Sequence, residues 1–552
     1  MKTKKIFLII TSFFVIFFTS CEEQVLNKSS LTSFTENDIW NDPKLVEMLV
    51  TTSYNALPGW GWPSPSGGPF LSTASDEAFM MFNYGMWALS SGNIDANNMG
   101  ALSSNWRRMY STIRDVNVFL SRIDGVPTSA ADKPKMDLLK AEMKYIRARA
   151  YAELVNFYGG VPLITKVYAL DDEFKENRAS YKDCVAFIVK ELDEAATALP
   201  VNRTGSQLGK VSKAACLALK SELLLYAASK LHDPSSTITG PFYTYDVANK
   251  WQQASDAAKA VIDLNVFSLV PINTWTDYTK IFTGASNNEI IFARWYSSDV
   301  NHQNIDKTNS SNGYRGWSGN VPTQELVNAF EMSNGKKITD PTSGYDPKDM
   351  YKDRDPRFYG NIVYQGATYR GRQTEFYLPG GRDSRDGPES WNYAVTAYTM
   401  RKYMDENIDF NVAIGSQPFI HFRLAEIYLN YAEAQYYLDN ESVAREYVNK
   451  IRTRAKMPDI TSSGSQLIAD VMQERRVELA FEDHRFFDIR RWMIADQVMK
   501  NSTGIQWKKL PDETLEHSFV NIENRTWNNR MYYLPIPLEE INKTGLPQNP
   551  GY

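Results

Sequence analysis

From residue 35 to about residue 263 apolar side chains recur at helical spacing, segment after segment, and this recurrence restricts the possible folds more than any other feature of the chain. The first segment, Thr35 to Leu57, sets Ile39, Leu45, Val46, Leu49 and Val50 on one stripe after a Thr35/Asn37 start signal. Others follow at about 101–123, 133–158, 180–198, 212–231 and 249–263. A helix with one apolar stripe must bury it on a neighbour, so short turns between such segments predict stacked helical hairpins.

Small residues at close helix crossings, as in Ala214-Ala215-Cys216-Leu217-Ala218 and Ala227-Ala228, have the character of a tetratricopeptide-type array, here degenerate because no strict repeat is visible. Between about 264 and 420 the texture changes to short strand-like pieces, such as Glu289 to Trp295, and long polar loops at 298–320 and 379–394. Long irregular loops in a compact protein are usually functional. Helices return at Arg423 to Leu438, Ser442 to Ala455 and Ser465 to Phe481. The expectation is a mainly α fold. One domain spans 35–552, with helical repeats at about 35–263 and 423–482 and a loop-rich, strand-poor insert at about 264–420.

At the N-terminus Lys2, Lys4 and Lys5 precede an apolar run from Ile6 to Phe18, then Thr19, Ser20 and Cys21. That run is too short to cross roughly 30 Å of hydrocarbon as a helix, and its basic flank suits a secretion signal, residues 1–20, that is removed. Phe18-Thr19-Ser20-Cys21 resembles a bacterial lipobox, which makes Cys21 the lipidated residue and residues 21–34 a polar tether on a membrane surface. No second long apolar run follows. Losing the three leader lysines makes the formal charge of −5 more negative still, which argues against nucleic acid as a partner. Cys184 and Cys216 are open to two readings, a disulfide or two small buried hydrophobes on helices, and the second is favoured.

Motifs for chemistry are thin. His232, His302, His421, His484 and His517 are dispersed, with no pair on one helix face, so no metal and no cofactor are expected. Gly159-Gly160 and Gly380-Gly381 read as a helix stop and a turn. Paired carboxylates for glycoside hydrolysis need proximity only in space, and with 65 acids such pairs arise by chance. The aromatic content points elsewhere. The 13 Trp, 31 Tyr and 27 Phe fall in part in Gly-, Pro- and Asn-rich stretches, and aromatic faces pack on the C–H faces of sugars.

Three blocks carry a family resemblance. Ala141 to Tyr151 running into Leu154-Val155-Asn156-Phe157-Tyr158-Gly159-Gly160-Val161-Pro162-Leu163 resembles the hallmark helix and turn of the SusD/RagB family. The second block is Glu474 to Trp492, with Asp483 where the family commonly has glycine, and the third is Tyr533 to Ile541 ending in Gln548-Asn549-Pro550-Gly551-Tyr552. Arg423 to Tyr428 and Asp355-Pro356-Arg357 fit the same pattern. These blocks read as scaffold: Glu474, Glu478 and Glu482 form one stripe, and Arg475, Arg476, Arg485, Arg490 and Arg491 are expected to pair with such acids or to cap carbonyls.

The resemblance implies a SusD-like fold and a surface-exposed outer-membrane lipoprotein. It also implies a SusC-like TonB-dependent transporter as partner, with the helical repeats toward it and the loops toward ligand. The function expected is non-catalytic binding of oligosaccharide or polysaccharide fragments and their delivery to that transporter; the alternatives are a surface glycoside hydrolase or lyase and a RagB-type peptide or glycopeptide receptor. Candidate ligand contacts, chosen by chemistry and position, are Trp60 and Trp62 in Pro58-Gly59-Trp60-Gly61-Trp62-Pro63, Trp87 after Ser75-Asp76-Glu77, and Tyr296, Tyr314, Trp317 and Trp391 in or beside the long middle loops.

Overall fold

The computed structural model describes residues 35–61, 70–169, 171–297, 300, 302 and 304–552; the leader, Cys21, the tether and Trp62 lie outside them. The fold is mainly α, with 46% helix and 9% strand. Thr35 and Asp38 form a reciprocal cap on the first short helix, which stops at Asn41. Pro43 has no N–H and forces Asp42 into extended backbone, so the expected segment divides and α1 runs Pro43–Ser53.

The hairpin stack follows as α2 (Asn105–Arg122), α3 (Lys133–Tyr158), α4 (Tyr181–Ala198), α5 (Lys213–Ala228) and α6 (Lys250–Ile262), each packed on the next. Ser180 and Ser212 start α4 and α5 by accepting the N–H groups of Asp183 and Ala215. Gly159 ends α3 at φ +76°, where a Cβ would lie 2.5 Å from the Phe242 carbonyl oxygen. Only glycine fits that stop. Cys184 and Cys216 are both buried and free.

After the insert come α7 (Leu424–Tyr437), α8 (Glu441–Arg454), α9 (Gly464–Glu478) and α10 (His484–Arg491). α7 packs on α6 and α5 as well as on α8 and α9, which continues the stack across a gap of some 160 residues. The insert carries its own apolar core around Phe282, Val321, Phe330, Phe358, Tyr398 and Met400. Its strands are short: β1 (Ala78–Met80) pairs β3 (Asn320–Pro322), and β2 (Ile290–Arg294) pairs β5 (Phe419–Arg423), both antiparallel. The hairpin β6 (Ser502–Lys509) and β7 (Leu515–Glu523) adds the two-residue strand β4 (Tyr377–Leu378) in parallel.

A buried ionic layer joins the insert to α9. Arg357 bonds Glu474 and Glu478 at 2.5 and 3.0 Å, Arg423 bonds Glu289, Glu478 and Glu482 at 2.8, 2.7 and 2.6 Å, and Arg452 bonds Glu474 at 3.0 Å. The acids of the Glu474 stripe are thus paired with distant bases. Arg475, Arg476, Arg485 and Arg491 point elsewhere, to Asp488, Asp76 and Glu433, and Arg490 donates to the carbonyls of Phe486 and Met531. One residue along a helix turns about 100°, so Arg475 cannot share a face with Glu474.

Candidate functional site: an aromatic groove

The site is built from Asp76 outward. Burial alone would raise its carboxyl, but the Arg476 and Arg485 guanidinium groups outweigh it and hold Asp76 below the usual carboxylate range. Three charge-assisted bonds of 2.7 to 2.9 Å fasten it to α9 and α10. The chain then enters β1, where Arg525 donates to the Ala78 carbonyl at 2.7 Å. Arg525 also bonds Glu523 at 2.7 Å, and Glu523 accepts from the Ser90 hydroxyl. β1, the short helix Met86–Ser90 and the end of β7 are thereby clamped together.

Between them lies a groove of about 690 Å³ lined by Phe79, Asn83, Trp87, Asn98, Ile522 and Asn524 among others. An adjoining hollow of about 390 Å³ shares Phe79 and Ile522 and adds Arg385, Tyr393, Val395 and Gln506. Trp87 is 38% exposed, stacks on Phe79 with ring centroids 6.1 Å apart, and donates its indole N–H to the Met80 carbonyl at 2.8 Å. One ring face is held by the protein while part of the indole remains open to the groove. Trp391, 67% exposed, comes from the far loop to within 6.2 Å of Phe82, which in turn neighbours Tyr84; these three rings lie outside the lining of either hollow and flank it beside Asn83. Asn312 ties the loop before Tyr314 to the loop before Trp391 by donating to the carbonyls of Ser384 and Pro388 at 2.8 and 2.9 Å.

The other candidates are placed differently. Trp60 is a correction: it is 8% exposed, with Phe70, Tyr403 and Phe419 set edge-on around it at 4.8 to 5.3 Å and its N–H on the Gln417 carbonyl. No face is left for a sugar, because this helix-breaking loop folds inward over the insert core. Tyr296 is half-buried, accepts from the backbone N–H of Trp60 at 3.0 Å and does not line the groove. Tyr314 is covered by Arg372, 3.9 Å from its ring centre, and donates to the Tyr369 carbonyl. Trp317 is 37% exposed, with Lys307 at 5.7 Å, and also lies off the groove lining.

Phe79, Phe82, Tyr84 and Tyr393 escaped the sequence reading. Their signal was present, since Phe79-Met80-Met81-Phe82-Asn83-Tyr84-Gly85-Met86-Trp87 mixes rings with Asn and Gly at no single period. The acids that line the two hollows, Asp383 and Glu523, are both engaged. Asp383 takes two bonds from Arg372 at 2.7 and 2.9 Å and one from the Glu375 N–H, and Glu523 is held by Arg525 and Ser90. A larger depression of about 790 Å³ lies on the helical face among α4, α5 and α6, lined by aliphatic Val185, Val189, Leu217 and Leu224 with Lys220 and Asp193. Tyr245 is its one aromatic ring, so it offers little for stacking on sugars.

Comparison with known proteins gives this geometry a context. A family model described as SusD family matches residues 288–552, and one described as starch-binding associating with outer membrane matches residues 44–225. A SusD-like protein of Formosa agariphila is 24% identical over 80% of this chain and 77% of its own length. One of Bacteroides ovatus is 22% identical over 92% and 86%. The solved structure of a SusD-like protein from Bacteroides fragilis superposes with a TM-score of 0.79 at 29% identity, covering 94% of this chain and 99% of that one. A laminarin-binding SusD-like protein shares the fold, with a TM-score of 0.66 at 21% identity over 93% of this chain and 100% of that one. The two models match most of both helical runs and most of the insert, in order, with residues 226–287 between them unmatched, and the chain belongs to the SusD/RagB family.

Proposed function

We propose that this protein is a non-catalytic receptor that captures oligosaccharide or polysaccharide fragments in the aromatic groove at the cell surface and passes them to a SusC-like TonB-dependent transporter. The observation that carries the reading is Trp87, exposed in the groove and backed by Phe79, beside amides of Asn83, Asn98 and Gln506, with the exposed Trp391 flanking the groove through Phe82. Rings supply contact with sugar faces, and amides supply directional bonds to hydroxyls. The laminarin-binding relative and the starch-binding description of the matching family model support the same ligand class. The non-catalytic role is supported by Asp383 and Glu523, whose carboxylates are occupied by arginines rather than poised as an acid and base pair. The lipobox at Cys21 supports an outer-membrane anchor, and the aliphatic depression on α4 to α6 is the proposed docking side for the transporter. Calorimetric titration with a panel of oligosaccharides, paired with prolonged incubation and product analysis, tests the reading. Saturable binding without cleavage is expected; cleavage products, or binding of a peptide pool alone, reject it.

A further inference from the structure

The dispersed histidines predict no metal site, yet the fold unites one of them with two glutamates. Glu222 on α5, Glu426 on α7 and His484 at the start of α10 are all buried, and each offers a ligand atom within 4.8 Å of the other two. None of the three lines the aromatic groove. We propose that Glu222, Glu426 and His484 form a binding site for one divalent transition-metal ion of the zinc class, which staples the helices of the stack to α10.

Several observations converge. Oε2 of Glu426 has no hydrogen-bond partner among the described residues and lies 3.8 Å from Nε2 of His484, while Oε2 of Glu222 lies 4.0 Å from Nδ1. An unpartnered buried carboxylate oxygen is costly; Arg149 reaches only Oε1 of Glu222, at 3.5 Å, so Oε2 of Glu222 and Oε2 of Glu426 are left to share a cation with the histidine. A dication cancels the pair.

The surrounding groups orient the three. Asn430 donates to Oε1 of Glu426 at 3.3 Å, which turns Oε2 toward the histidine. The Tyr226 hydroxyl lies 3.5 Å from Nδ1, and in the tautomer whose Nδ1–H is donated to it Nε2 faces Glu426 with its lone pair. Arg475 is as close to Nδ1, but its shorter bonds run to Asp488 at 2.9 Å and Asn430 at 2.7 Å. Bonds of about 2.0–2.2 Å to a tetrahedral ion put ligand atoms roughly 3.3–3.6 Å apart, so the side chains need draw in by only about 1 Å. Imidazole with two carboxylates suits zinc better than magnesium or calcium. A cavity of about 60 Å³ borders Glu222 and His484. That leaves room for a water as a further ligand on the Glu222 and His484 side.

The test uses the purified whole chain, stripped with EDTA, equilibrated with Zn²⁺ or Mn²⁺ and passed over a chelating resin before elemental analysis. The expected result is one zinc per chain and a higher melting temperature than in EDTA. Glu426→Gln and Glu222→Gln preserve volume, and each is expected to weaken zinc binding at least about tenfold with an unchanged circular dichroism spectrum. Tyr226→Phe is expected to weaken it roughly tenfold through loss of orientation. A wild-type protein that retains neither metal overturns the proposal and leaves the two carboxyls sharing a proton. Full zinc content in both Gln variants overturns it as well, because the ion then sits elsewhere.

Discussion

Trp391 and Trp60 have the same side chain and opposite situations, 67% against 8% exposed. Removing a ring that stacks on sugar forfeits about 60–100 Å² of contact, worth about 1.5–2.5 kcal/mol at roughly 25 cal/mol per Å². Trp391→Ala is therefore expected to weaken oligosaccharide binding about ten- to seventyfold by calorimetry, with Tm unchanged. Trp60→Ala is expected to lose about 3–5 kcal/mol of stability in denaturant unfolding, as core aromatic truncations do. Equal effects of the two on Tm would put Trp391 in the core instead. Trp87 lies between these cases, since its bond to the Met80 carbonyl ties ligand contact to local structure. Glu77, beside the Asp76 anchor, gives a pH signature. Burial pushes its carboxyl from the ordinary 4.5 up to about 8 against the pull of Arg485. Because the folded value is raised, the proton-bound form favours the fold: its contribution is full below about pH 4.5 and is lost as pH rises toward 8. Glu77→Gln is neutral throughout, so it is expected to match the wild type in thermal unfolding near pH 4 and to exceed it at pH 8. A smaller Tm for the variant at pH 8 contradicts this assignment.

Among the elements, α9 contributes Glu474 and Glu478 to the buried ionic layer. Glu478 faces Arg357, Arg423 and Arg454, all buried. Removing one partner of a buried ionic group leaves the others uncompensated, so Glu478→Ala is expected to destabilise by about 3–5 kcal/mol in urea unfolding while leaving the aromatic groove's lining untouched. A change below about 1 kcal/mol, the range of exposed pairs, would mean that water reaches this layer. The stripe of Glu474 and Glu478 was legible from spacing alone, as was the helix that bears it. Its partners were not. Arg357, Arg423, Arg452 and Arg454 come from other elements, and nothing in local spacing says which basic side chain will meet which acid. Helix ends show the same division: Pro43 breaks the first segment by its own chemistry, whereas Phe481 and Asp483, at φ 62° and 65°, turn the chain after α9 in a conformation that only the packed structure imposes.

At the scale of the molecule, the hairpin stack carries a loop-rich insert, and the aromatic groove beside it, built from residues 79–100 and 522–524, is clamped to α9 and α10 through Asp76. Stacking dominates a groove whose acids are already paired, so affinity for neutral oligosaccharides is expected to change less than about threefold between 50 mM and 500 mM salt by calorimetry. A steep loss with salt would point to an anionic ligand held by Arg385. Cys21→Ala is expected to abolish fatty-acid labelling and release the protein from membranes, and persistent label would refute the lipobox reading. The sequence by itself determined the mainly α class, nearly every helix of the stack and the glycine stop at Gly159, because periodicity, caps and backbone restrictions act over a few residues. Only the tertiary structure decided which tryptophans face solvent, which arginine meets which glutamate, and that Glu222, Glu426 and His484 converge, because burial and long-range pairing depend on where distant segments pack, and no local spacing encodes that.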